Sequence, residues 1–71
     1  MEFKRPGQFL SYLKYRAART SLAAIKESWH GIEVEARAVS NVATGHQRVD
    51  LYFDGKRHSR RDIQQRLERA A

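Results

Sequence analysis

Two stretches of strict alternation, residues 32–40 and 47–53, constrain the fold more than any other feature of the chain. In the first, Ile32, Val34, Ala36 and Ala38 share one face, and Glu33, Glu35 and Arg37 share the other. In the second, Val49, Leu51 and Phe53 alternate with Arg48, Asp50 and Tyr52. A period of two places successive side chains on opposite sides of an extended backbone, so each stretch reads as a half-buried strand. Residues 41–46, with Gly45 among them, read as the loop that joins the strands into an antiparallel hairpin. Arg48 is expected to oppose Glu33 or Glu35 across that hairpin. Asp54-Gly55 is a tight-turn signal, after which Lys56, Arg57 and His58 suit a short third strand.

A hairpin with one apolar face needs a cover. Downstream, Ser59 is a good N-cap, Asp62 holds the capping-box position, and Ile63, Leu67 and Ala70 recur at helical spacing. Upstream, residues 1–7 read as a flexible basic arm, with Pro6-Gly7 breaking the chain before a helix. Residues 8–30 read as helical, and Gly31 fits a C-cap. At ~100° per residue, Phe9, Leu10, Leu13, Ala17, Ala18, Leu22, Ala24, Ile25 and Trp29 form an apolar arc. Tyr12, Tyr15, Arg16, Arg19 and Lys26 form a basic, aromatic stripe opposite. The apolar phase drifts between Ala18 and Leu22, which allows a kink or a second helix capped by Thr20 or Ser21. The expected fold is a small α+β domain over residues 8–71, in the order α-β-β-(β)-α. An antiparallel hairpin or three-stranded sheet carries two helices on one face.

With 71 residues and no cysteine, such a domain buries roughly 60% of its unfolded surface and has no disulfide staple. Packing must hold it, with or without a second copy; an edge strand offers a route to a homodimer. The lack of cysteine points to the cytoplasm. Lys14, Arg16 and Arg19 break up any apolar secretory segment, and no apolar run approaches membrane-spanning length, so no membrane partner is expected.

The formal net charge is +6, and its distribution is uneven. Residues 1–29 carry six Lys/Arg against two Asp/Glu, residues 30–55 two against four, and residues 56–71 six against two. The segments read as helical are therefore basic, and the hairpin is slightly acidic. A sheet that reads nucleic acid needs a basic or aromatic open face. Glu33, Glu35 and Asp50 would instead repel phosphate, and Tyr52 alone is a weak stacking platform.

The charge culminates in Lys56-Arg57-His58-Ser59-Arg60-Arg61, where the strand pattern gives way to the helix pattern. A helix start carries unpaired N–H groups and the positive end of the dipole, so stability alone disfavours cations there. An anion such as a phosphate would be received by the same groups. An ordinary surface or capping role accounts for His58 better than a pH-dependent switch does. The stripe of Tyr12, Tyr15, Arg16, Arg19 and Lys26 has the aromatic interleaving of nucleic-acid surfaces. An exposed helix face with apolar stems is its plain alternative.

Catalysis finds little support. His58 and Ser59 are chain neighbours rather than a base and nucleophile converging from separate elements. There is no paired-carboxylate signature, no Gly-rich phosphate loop, and no metal-ligand spacing among His30, His46 and His58. No cofactor and no metal is expected.

The stretch Val49-Asp50-Leu51-Tyr52-Phe53-Asp54-Gly55-Lys56 and the helix start Ser59-Arg60-Arg61-Asp62, running to Ala70-Ala71, resemble a double-stranded RNA-binding domain. The resemblance is confined to the order of elements and the C-terminal third. It implies phosphate contacts from Arg60 and Arg61, and a groove-facing loop at Gly45-His46. The expectation is a small basic protein that grips duplex or structured nucleic acid, DNA or RNA, by its phosphates. The alternative is an inhibitor or adaptor module whose basic patch meets an acidic protein partner.

Overall fold

The structure, a computed structural model, describes residues 3–70. Two helices and a four-stranded antiparallel sheet follow the order α-β-β-β-β-α: α1 (Pro6–Arg19), β1 (Ile25–Trp29), β2 (Ile32–Ser40), β3 (Gln47–Phe53), β4 (Lys56–His58) and α2 (Arg60–Ala70). The sheet is a simple meander, β1-β2-β3-β4. Its core face is covered by both helices, as the α+β reading expects. Phe9, Leu10, Leu13 and Ala17 of α1 and Ile63 and Leu67 of α2 pack on Ile25, Trp29, Val34, Ala36 and Leu51.

The hairpin legible in the alternation is present, with Ala36 paired to Leu51 and Arg37 to Asp50. Its register differs in one respect: Arg48 pairs with Val39, and Glu35 with Tyr52. Arg48 instead bonds Asp50 along its own strand, Nε to Oδ1 at 3.1 Å. The expected tight turn at Asp54-Gly55 has both residues at positive φ, 52° and 76°, the geometry of a two-residue type I′ hairpin. Lys56 to His58 do form a strand, the fourth of the sheet rather than the third.

The long first helix is corrected. It ends at Arg19, and Thr20 is extended, with its Oγ1 accepting the Leu22 N–H at 3.1 Å. Leu22 is exposed in the connecting loop, and residues 25–29 are strand, not helix. Ile25 and Trp29 lie four apart, a spacing that fits one helix face and one strand face equally. Glu27 settles the matter: a strand puts it between them on the same face, where it is only half-buried and meets Arg16 of α1. Gly31 does need positive φ, as a C-cap would. It has that φ as the second residue of the His30-Gly31 turn, φ 50° and 78°, which joins β1 to β2.

Of the flexible arm expected over residues 1–7, residues 1 and 2 lie outside the described residues, and the rest is tied to the domain. Pro6 and Gly7 are the first residues of α1. Phe3 packs on Phe9 and Tyr12, and its carbonyl accepts the Trp29 indole N–H at 3.0 Å. Lys4 and Arg5 are exposed. No helix among the described residues is long and apolar enough to cross a membrane.

Candidate functional site

The basic run begins on β4 and turns into α2, and each of its residues has a distinct job. Lys56 is exposed opposite Phe53, and Arg57 is exposed opposite Tyr52. His58 is half-buried, edge-on to Phe53 at 6.0 Å, and its Nδ1 donates to Asp62 Oδ2 at 2.6 Å. Ser59 is the N-cap expected from the sequence: its Oγ accepts the Asp62 N–H at 3.1 Å. The Asp62 carboxyl does not return to Ser59 as a capping box would. It receives His58, with Arg66 beside it at 3.4 Å. These partners hold Asp62 below its ordinary pKa, the His58 hydrogen bond contributing most.

Arg60 is the largest departure from expectation. It is half-buried, and its Nη2 donates to the Gly7 carbonyl at 3.1 Å and to Ser11 Oγ at 2.8 Å. It ties the start of α2 to the first turns of α1. Both acceptors are neutral, so the guanidinium is anchored without being neutralised. Arg61 is exposed on α2 and lines a shallow hollow with Arg60, Gln64, Gln65 and Glu68, apart from the cleft that holds Arg57.

β4 stops at His58, opposite Leu51, so residues 47–50 of β3 have no strand beside them on that side. The cleft beyond the end of β4 is lined by Lys14, Val49, Asp50, Leu51, Arg57, His58, Ser59 and Arg60. It continues, through the shared Lys14, Val49 and Arg60, into a hollow lined by Ser11, Tyr15, Ala18, Gln47 and Arg48. Among the described residues, Lys14, Arg57 and Arg60 form no ion pair, whereas Arg48 is matched by Asp50.

The stripe expected on α1 divides. Tyr15 lies on the cleft side, 60% exposed, with the Arg19 guanidinium 5.1 Å from its ring centroid. Tyr12 and Arg16 turn toward β1, where Arg16 pairs with Glu27 and sits 5.7 Å from the Tyr12 centroid. Lys26 is not on the helix at all; it stands on β1 opposite Glu35. Sequence reasoning overlooked Lys14. Its signal was present, because Ser11, Lys14, Tyr15 and Ala18 recur at helical spacing on one side of α1.

The open face of the sheet has little room for a base. Arg37 lies 4.2 Å from the Tyr52 centroid and is itself bonded to Glu35, so the one aromatic ring there is already covered. Comparison with protein-family models, curated proteins and solved structures finds no match to this chain.

Proposed function

We propose that the protein binds nucleic acid by gripping its phosphate backbone in the cleft between α1, the end of β4 and the start of α2. The supporting observation is that Lys14, Arg57 and Arg60 line one cleft without a carboxylate partner among the described residues. Arg60 is held by two neutral acceptors, so part of the ordering entropy of that contact is already spent in the free protein. Its Nε and Nη1 have no hydrogen-bond partner among the described residues. The helix start adds unpaired N–H groups and the positive end of its dipole. Tyr15 and Arg19 extend the surface along α1, and Lys56 extends it along β4.

The test is fluorescence anisotropy with DNA and RNA duplexes across a salt series. Affinity should fall steeply with salt, and Lys14→Gln and Arg57→Gln should each reduce the slope of log K against log salt by about one. Arg57 is exposed and Lys14 half-buried, and neither makes a side-chain hydrogen bond among the described residues, so the variants should melt close to the parent. Binding to neither duplex, or slopes unchanged in both variants, would sink the proposal and redirect attention to an acidic protein partner.

A further inference from the structure

α2 is mounted on the sheet by one narrow stripe. Ile63 and Leu67, one turn apart, are its buried residues, while Arg61, Gln65, Arg66, Glu68 and Arg69 are exposed. At ~100° per residue, Arg61, Gln65 and Glu68 fall within about 60° of one another, directly opposite that stripe. They form the outermost ridge of the helix, pointing away from the body of the protein. Arg61 and Gln65 make no hydrogen bond to another side chain among the described residues; Glu68 accepts one from Gln64 at 3.3 Å.

Those three side-chain types carry the donors and acceptors that suit base edges. An arginine matches guanine O6 and N7, a glutamine matches adenine N6 and N7, and a glutamate accepts from cytosine N4. Cations flank the ridge. On one side stands Arg60, with the first turn of α1 so close that a Cβ at Gly7 would lie 3.8 Å from Gln64 Oε1. Arg5 is the N-cap of that turn. On the other side stand Arg69 and Arg66, the latter beside the Asp62 carboxylate at 3.4 Å. A helix of 11 residues spans about 16 Å and, with side chains, is about 10–12 Å across. The major groove of B-form DNA, about 12 Å wide, admits it, whereas that of A-form RNA is too deep and narrow.

We propose that α2 is a recognition helix that lays its Arg61, Gln65 and Glu68 ridge into the major groove of duplex DNA and reads sequence there. The proposal rests on the phosphate-gripping reading, which supplies the contacts that fix the helix in register. It goes further by choosing DNA over RNA and by predicting a preferred sequence.

The experiment selects bound duplexes from a DNA pool with a randomised centre. It then measures affinity for the selected duplex, a scrambled duplex and an RNA duplex of the selected sequence. The expected result is a DNA preference at a few adjacent base pairs. Arg61→Ala and Gln65→Ala should each lose about tenfold on the selected duplex, relax the choice at one position, and bind scrambled DNA nearly as before. Lys14→Gln should weaken every duplex alike. No enriched sequence, equal binding of RNA and DNA, or uniform losses from Arg61→Ala and Gln65→Ala would overturn the recognition helix. Salt-dependent binding would then still stand for the phosphate grip, whereas failure to bind any duplex would end both readings.

Discussion

Replacing Arg60 by alanine separates a structural cation from a merely exposed one. The side chain donates to the Gly7 carbonyl at 3.1 Å and to Ser11 Oγ at 2.8 Å, contacts 53 and 49 residues distant in sequence. A hydrogen bond from a charged donor is worth about 1.5–3 kcal/mol when well enclosed. Here Arg60 is only half-buried and Ser11 is exposed, so solvent replaces part of each bond. The net loss expected from Arg60→Ala is about 1–2 kcal/mol, which in a domain of this size lowers the melting temperature by about 5–15 °C. Arg61→Ala, one residue on and exposed, should change stability by no more than about 0.5 kcal/mol. Thermal and urea unfolding followed by circular dichroism give both numbers. A double-mutant cycle with Ser11→Ala should return a coupling of about 0.5–1 kcal/mol. If Arg60→Ala melts with the parent, or the cycle shows no coupling, the tie between the helices contributes nothing and the view of Arg60 as a pre-placed cation fails.

Two further outcomes follow from the way α2 is held. Leu67 is fully buried and is half of the stripe that mounts the helix, so Leu67→Ala should cost about 3 kcal/mol through lost burial and the cavity left behind; a urea midpoint within error of the parent would contradict the packing described. Asp62 is held below its ordinary value of 3.8, chiefly by the His58 hydrogen bond and then by Arg66. A depressed carboxyl contributes stability that is present above its unfolded-state pKa and is lost as pH falls through the folded one. Asp62→Asn should therefore flatten the loss of stability below about pH 4. Acid-unfolding curves of the same steepness in variant and parent would refute that assignment.

Much of this was legible in the chain. The alternation of residues 32–40 and 47–53 fixes β2 and β3, because one register error would turn every apolar side chain to solvent. Asp54-Gly55 and Ser59 mark a turn and a helix start through local backbone chemistry, which needs no distant partner. The β1 strand was not legible. Ile25 and Trp29 satisfy both periods, and five residues are too few for periodicity alone to separate helix from strand. The neighbouring β2 decides, by offering a partner for the backbone groups of residues 25–29 through the His30-Gly31 turn.

The same division holds for the site. Sequence alone determined that positive charge gathers where β4 passes into α2, since those residues are consecutive. Which of the cations are matched by a carboxylate was decided only when distant segments met. Arg16 is matched by Glu27 from a strand that the periodicity hid, Lys26 leaves the helix for that strand, and Arg60 is recruited by α1. Lys14 joins Arg57 in the cleft because β4 ends at His58 and leaves the edge of β3 open. The physical reason is that net charge is a sum over the chain, but neutralisation acts over a few ångströms, so it depends on which side chains the packed helices and strands bring together.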